Sequence, residues 1–527
     1  MRCGASFAIR WPNDEGPCLE RTWQISWLDE PMRDRLAVGL AGLCLAAMFA
    51  LALSTTAFVD PDLWHEMALF REALELGRLP LEDRFAYTPT VYPSVHHEWG
   101  TGAVLYAVAV TLGAPGVMAF KYLLTAGVCG ACCYCARRRG ASWAVILSLA
   151  SVTILTGVIG FTTIRAQVFT LLFLATMLCF LDADRRGNRR WMLAWLPLFV
   201  LWLNLHAGFA VGAGLLALHA LEQALRRERF WHLAGVGAAM FALVAVNPYG
   251  LEYYTYLAHG LTMKRPLITE WQPLWTIDPR MFRVFLVSLV LVAYPLSVLG
   301  WRRMPGLLVL AATAWFAARH TRHVSLYLVV WLCYMPGWVA ATPLGELLDG
   351  VWRRQRRWVL SFSAVVGTLC LTQLVPAVPW EMRLPVTSAD ERQGLPVYPA
   401  GAVAYLDAAR FEGNLMVPFV PGGYVMWKLH PRVKVSIDGR YEVAYLPGVL
   451  EENTDLYEAK SGWRLILEKY PTDAVLVPRW TPLAKELPGL PDWMRVYRDN
   501  AFEVYARLDC SLMPVDHGDA PIPGAFP

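Results

Sequence analysis

Charge is scarce in this sequence. Only 17% of its 527 residues are Asp, Glu, Lys or Arg, against about a quarter in soluble domains. That deficit excludes an ordinary soluble globular chain. With 56% hydrophobic residues and a mean hydropathy of +0.37, it points to lipid. The net charge of +4 is small and dispersed over loops, which suits anchoring at a membrane leaflet and not nucleic-acid binding. A disulfide framework is missing too. Most of the eleven cysteines, Cys44, Cys129, Cys179, Cys333 and Cys370 among them, fall in apolar runs, and Cys510 stands alone in the tail. Cys132-Cys133-x-Cys135 has no histidine or second cysteine pair to complete four ligands, so it reads as packing. The stretch before Arg35 is mixed in charge, unlike a cleavable signal peptide. No internal repeat is evident.

Long apolar runs are abundant. A helix needs about 20 apolar residues to cross the hydrocarbon core. Runs at 36–58, 115–136, 142–160, 167–181, 191–205, 208–225, 231–246, 281–299, 306–318, 324–341 and 358–375 predict an α-helical polytopic membrane protein of about eleven transmembrane helices. The apolar segment 100–113 is too short for a span and is expected to be interfacial or re-entrant. Parity supports this. If the segment does not cross, Arg137-Arg138-Arg139, 182–190, 226–229, Trp301-Arg302-Arg303 and 352–357 all share the side of the N-terminal basic segment. The expected organisation is a cytoplasmic segment 1–35, a transmembrane region 36–376 with a first outer loop 59–114, and an extracytoplasmic domain 377–527. A bacterial inner (plasma) membrane, with the N-terminus cytoplasmic, is the expected location.

The first outer loop carries its own helix pattern. Leu63, Met67, Phe70 and Leu74 form an apolar stripe against Glu66, Arg71, Glu72 and Glu75, which predicts an amphipathic helix on the membrane surface. From Pro379 onward charge and proline increase. A helix over 401–411 and strands over 433–437, 474–477 and 502–506 predict a small α/β domain.

The candidate chemistry falls on the side without the arginine loops. Asp60-Pro61-Asp62 follows the first span directly. Acidic residues there can simply end a span in headgroup water. A partly desolvated carboxylate at that depth can also act as a general base toward a hydroxyl or amine. His96-His97-Glu98-Trp99 precedes the next long run. Adjacent histidines diverge on a helix, so acceptor positioning, or interfacial polarity beside Trp99, is favoured over a tight metal site. Lys121 lies early in a span, where it either snorkels or pairs with an acid or a phosphate. Arg165 begins another span from the outside, and Arg319-His320-Thr321-Arg322-His323 is the densest outer basic cluster. Guanidinium forks match phosphate oxygens, so these cations suggest an anionic ligand. His206, Asn247-Pro248-Tyr249-Gly250 and Glu270-Trp271 lie at the same face, individually consistent with turns or caps. Ile437-Asp438-Gly439-Arg440 in the tail reads as a turn ahead of a binding loop.

An outward-facing acid after the first span, a large first outer loop with surface helices, and outer basic groups resemble the GT-C superfamily of integral-membrane glycosyltransferases. Protein O-mannosyltransferases and bacterial lipid A aminoarabinose transferases are the nearest in pattern, over residues 36–341. The resemblance implies that Asp62, or Asp60, is the catalytic base, although Leu63 replaces the family's usual Glu. It implies that His97 and Glu98 lie near the acceptor and that Lys121 stands near the catalytic acid; His206, on the same face, is a further candidate for substrate binding. Arg165, Arg319 and Arg322 would then suit the lipid phosphate, with His323 of the same basic cluster a further candidate for substrate binding. It further implies a polyprenyl-phosphate sugar donor, a glycan, lipid or protein acceptor, and inversion at the sugar carbon. A divalent metal is possible, since oligosaccharyl relatives use one. The competing readings are a transporter or flippase, which needs polar residues at mid-membrane in broken or repeated helices, and a polymerase or ligase of lipid-linked glycans, which does not need the first-loop aspartate.

Overall fold

A computed structural model of the chain describes residues 32–157, 160–263 and 265–527. The N-terminal segment expected at 1–35 therefore lies, up to residue 31, outside the described residues. Apolar runs become helices because a helix satisfies every backbone N–H and C=O within itself, which lipid requires. The first are α1 (Met32–Thr55), α2 (Pro61–Leu76), α3 (Trp99–Arg138), α4 (Trp143–Gly157) and α5 (Gln167–Arg185). Next come α6 (Trp191–Leu205), α7 (Phe209–Leu225), α8 (Trp231–Leu243), α9 (Glu252–Thr262) and α10 (Leu274–Ile277). The bundle ends with α11 (Pro279–Leu299), α12 (Leu307–Arg319), α13 (Val324–Ala340), α14 (Pro343–Arg354) and α15 (Arg356–Leu374). Among the described residues six helices are long and apolar enough to cross a membrane, and four shorter apolar ones accompany them.

The loops sort by charge. Arg186 donates to the carbonyl of Arg138 (2.9 Å), Arg185 pairs with Glu222 (3.4 Å), and Arg226 donates to the carbonyl of Trp301 (3.1 Å). Trp352 donates to Ser148 (2.8 Å) and brings the last arginine run to the same end. The loops bearing Asp60, Arg165, His206 and Glu270 gather at the other end.

Segment 100–113 forms the first part of α3, set off from the rest by a break in the helix where the sequence places the boundary. The backbone leaves helical geometry at Gly113 (φ 62°). Two residues on, Pro115 lacks an N–H and its ring crowds the preceding turn, so the kink has a local cause. That first part packs on α2 and on the end of α6. Side-chain carbons at Gly100 and Gly102 would stand 2.5 Å from the carbonyl oxygens of Asn204 and Glu66, so only glycine allows the approach.

The apolar stripe of α2 was expected on the membrane surface; its first half meets protein, while Leu74 at its end stays exposed. The C-terminal part contains α16 (Ser388–Arg392), α17 (Ala400–Ala408) and α18 (Phe419–Leu429). Leu63, Trp64 and Met67 are fully buried in one cluster with Tyr398, Tyr424 and Val425, and the Trp64 and Tyr424 rings lie 4.9 Å apart edge to face. Each such burial is worth about 1.5–3 kcal/mol. The polar face docks as well. Arg71 covers the Trp427 ring at 4.3 Å, and Glu72 pairs with His430 (3.0 Å) and Arg84 (2.9 Å). Helix α2 is thus held between α3 and the C-terminal part.

That part is built on β1 (Gly413–Met416), β2 (Val433–Val435), β3 (Ala474–Pro478), β4 (Trp493–Arg498), β5 (Phe502–Arg507) and β6 (Val515–Asp516). Their order is β2-β1-β3-β5-β4-β6. Strand β1 runs parallel to β2 and β3, β5 is antiparallel to β3 and β4, and β6 is parallel to β4. The unbroken apolar run of β3 is buried along its whole length, as a central strand covered on both faces should be.

Candidate active site

The site begins at the N-terminus of α2. Asp60 caps the helix, its Oδ1 accepting the backbone N–H of Asp62 at 3.0 Å, and Pro61 occupies the first turn, where no N–H is needed. The guanidinium of Arg165 lies against both acids. Its Nε is 3.1 Å from Asp60 Oδ2, its Nη2 is 3.1 Å from Asp62 Oδ2, and its Nη1 is 2.6 Å from Glu270 Oε1 in the Thr269–Trp271 turn. Asp60 is buried (3% exposed), while the Asp62 side chain keeps 36% exposure into a cavity. Loss of hydration pushes the Asp62 carboxyl up to about 7, aided by the neighbouring Asp60 charge and opposed by Arg165. Burial works against the Arg165 charge, but Asp60, Asp62 and Glu270 outweigh it and hold the guanidinium protonated. Burial likewise works against the Glu270 charge; Arg165 and Arg322 keep it ionised.

One turn along α2, Glu66 meets Glu98. Burial and the Glu98 charge drive Glu66 well above the usual carboxylate range. Burial would raise Glu98 as well, but His97 and the hydrogen bond from Glu66 reverse it, so Glu98 is the ionised partner. His97 Nε2 lies 3.1 Å and His206 Nε2 3.2 Å from Glu98 Oε1. The tautomer of His206 follows from its other nitrogen. Nδ1 accepts the Gly208 N–H at 3.0 Å and faces Thr170 Oγ1 at 2.6 Å, so Nε2 carries the proton and donates to Glu98. Burial lowers His206 to about 4 and keeps the ring neutral. Trp202 donates to Thr170 (2.9 Å), and Trp99 donates to Asn204 (3.0 Å), which fixes the corner that carries His206.

The C-terminal part supplies a wall. After β2 the chain turns through Asp438-Gly439-Arg440. Arg440 is gripped by Asp438 through Nε (2.7 Å) and Nη2 (2.6 Å), pairs with Asp83, and Tyr445 donates to Asp438 at 2.6 Å. Burial opposes the Asp438 charge, but Arg440 holds the carboxyl down at about 2. Gly439 lies over the site: a side-chain carbon there would be 3.2 Å from His65 Nδ1 and 3.6 Å from Asp62 Oδ1. A segment whose sequence suggests a turn therefore borders Asp62.

These groups line one cavity of about 810 Å³. Its polar end holds Asp62, Glu66, Glu98, Arg165, Glu270 and Arg440, and its wall continues over apolar side chains of α7, α9 and α12, among them Leu215, Leu257 and Phe316. Arg322 and Arg265 flank the Trp271 ring at 4.9 and 4.4 Å, and Gln167 pins the Arg322 carbonyl at 2.9 Å. His323 stands edge-on to Trp271 at 5.8 Å.

Of the residues singled out in the sequence, Asp62, His97, Glu98, Arg165, His206, Arg322 and His323 line this cavity, and Asp60 sits directly behind Arg165. Lys121, Arg319 and the 247–250 turn do not reach it. Lys121 is buried (1% exposed) and donates to the Thr162 carbonyl at 2.5 Å, holding the loop that carries Arg165 in place of meeting the acids. Arg319 is exposed and lies along Trp315, because the last turn of α12 points it away from Arg322. Glu66 was missed, and Arg440 lies in the segment read as a turn in preference to a binding loop. Glu66 had a signal, its i+4 spacing from Asp62 on one helix face; Arg440 had only the Asp-Gly-Arg triplet after a strand.

A divalent ion would look for converging carboxylates. The convergent acids here are Asp60, Asp62 and Glu270, and Arg165 already lies among them. Among the described residues no group of His, Cys, Asp and Glu is placed to hold a metal, so the donor set does not fit one.

No protein-family model matches the chain, and no curated protein matches it in sequence. Among solved structures it is similar to the oligosaccharyltransferase of Archaeoglobus fulgidus in its apo form. The TM-score is 0.53 at 11% identity, covering 93% of this chain and 76% of that one. The fold is GT-C-like.

Proposed function

We propose, from this GT-C-like fold and the cavity within it, that the chain is an integral-membrane glycosyltransferase. It moves a sugar from a polyprenyl-phosphate donor to a hydroxyl or amine of an acceptor on the extracytoplasmic face. The observation that carries the reading is Asp62: a carboxylate open to the cavity, poised at about 7, beside a guanidinium and within a chamber that continues along apolar helix faces. A base near neutrality both exists ionised and accepts a proton effectively. Asp60, buried and occupied as the α2 cap, is the poorer candidate: Arg165 contacts both acids, but only Asp62 opens on the cavity.

In this mechanism Asp62 takes the acceptor proton as the acceptor atom bonds to the anomeric carbon. The bond from that carbon to the phosphate oxygen breaks, and the departing lipid phosphate carries the charge. Attack opposite the leaving group inverts the sugar carbon. Arg322 and Arg265, spread on Trp271, face the same chamber and suit the phosphate oxygens. The apolar walls of α7, α9 and α12 suit the lipid chain. The polar groups crowd one end of the bundle, which favours transfer over transport, where they would sit at mid-membrane.

The test is mass spectrometry of lipid co-purifying with the full chain. A polyprenyl phosphate, with or without sugar, is expected. Bulk phospholipid alone, even after supplying a polyprenyl-phosphate sugar, would overturn the reading.

A further inference from the structure

Three acids from two distant segments meet on one guanidinium. Asp60 and Asp62 open α2, and Glu270 belongs to the turn before α10, yet Arg165 contacts each of them at 2.6–3.1 Å. Carboxylates gathered on one side chain repel one another, so a cation has to stand among them. In hard-cation sites such oxygens are gathered by a divalent ion. Here a side chain does it. The guanidinium fork offers five N–H donors in one plane and keeps its charge at any working pH. Its loop is held from behind by Lys121 on the Thr162 carbonyl, and Gln167, two residues on, holds the Arg322 carbonyl.

We propose that Arg165 is a resident cation standing in the place of a divalent ion, so that Asp60, Asp62 and Glu270 bind no metal. The positive charge beside the reacting groups is then covalently part of the chain. This rests on the transfer reading above for its purpose, but the occupancy itself is tested by binding alone. As they stand the three acids are not grouped to hold a metal; removing the guanidinium leaves like charges with no cation between them, and they should close on an added metal in the space it vacates.

The experiment is titration of the purified full-length protein with MnCl2 by calorimetry. Wild type is expected to show no saturable site at these acids. Arg165→Ala is expected to gain one, which Arg165→Ala/Glu270→Gln loses. Saturable Mn²⁺ binding by wild type that Glu270→Gln abolishes would overturn the proposal, as would a folded Arg165→Ala protein that binds no Mn²⁺. Should Arg165→Ala not fold, wild type against Glu270→Gln decides: no site, or one that survives Glu270→Gln and so lies elsewhere, supports the proposal. Failure here leaves the transfer reading standing, since a metal-dependent transferase would still hold the lipid-linked donor; that reading fails only in the lipid measurement.

Discussion

Asp60 and Asp62 belong to one tripeptide, but Asp60 Oδ1 accepts the backbone N–H of Asp62 at 3.0 Å, and this single bond separates their roles. Arg165 contacts both, but the first acid is buried and spent on the helix terminus. The second projects from the first turn of α2 into the cavity.

Substituting them should therefore give unequal results. Asp62→Asn keeps the size of the side chain and removes the base, so sugar transfer should fall by about 10²–10⁴-fold with donor binding retained. Asp60→Asn keeps the capping oxygen and should retain measurable transfer with a lowered thermal midpoint. Transfer assays on membranes, paired with thermal unfolding of both variants, check this; equal transfer in Asp62→Asn and wild type would reject Asp62 as the base.

If Asp62 is the base proposed above, transfer should rise with pH through about 7 and level off above it, as its ionised form accumulates. Asp62→Asn should lose that step. The profile of initial rate against pH measures it, and a flat profile from 6 to 8 would count against the assignment.

Stability should show the opposite dependence on two kinds of group. His65 and His206 are held at about 4 and His96 at about 3, against an ordinary value of 6.5, chiefly by burial. The unfolded chain takes up these protons near 6.5 and the folded chain does not until about 4. Their stabilising effect is full above 6.5 and is lost as pH falls through that window. Asp62, raised from 3.8 to about 7, contributes stability below 3.8 that is lost as pH rises through 7. Thermal midpoints measured from pH 4 to 8 should fall on the acid side, and less so in His96→Phe.

Arg322 and Arg319 sit three residues apart and should behave differently. Arg322→Ala should weaken donor binding by about 1.5–3 kcal/mol, the range for a charge-assisted hydrogen bond, seen as a raised donor KM. Arg319→Ala, at an exposed position along Trp315, should leave donor KM near wild type. Matching losses in both would show that the cavity described is not where the phosphate lies.

Gly439→Val should disable transfer without unfolding the chain. Its first side-chain carbon would meet His65 at 3.2 Å and crowd Asp62 at 3.6 Å. A displacement of about 1 Å at the reacting groups costs about 10²-fold in rate. Wild-type transfer in a folded Gly439→Val protein would remove the C-terminal loop from the site.

Much of the fold was legible because lipid imposes it locally. An apolar run must close its own hydrogen bonds, so α1, α5, α11, α13 and α15 stand where hydropathy put them. The first half of the α2 stripe departs from expectation for a physical reason. Apolar stripes register burial without naming what covers them, and here protein took the place of lipid: the Glu66 backbone over Gly102, and Tyr398 and Tyr424 around Trp64.

By itself the sequence determined which residues could do chemistry and at which end of the bundle they lie, because charge and hydropathy sort loops across a bilayer. Tertiary structure decided which of them meet. Asp62, Arg165 and Glu270 are separated by about a hundred residues at each step, and Arg440 comes from another part of the chain altogether. Such contacts depend on how helices pack and loops cross, which no local pattern records. Arg322 and Arg319 share one cluster in sequence, but the end of a helix turns one toward the cavity and the other out.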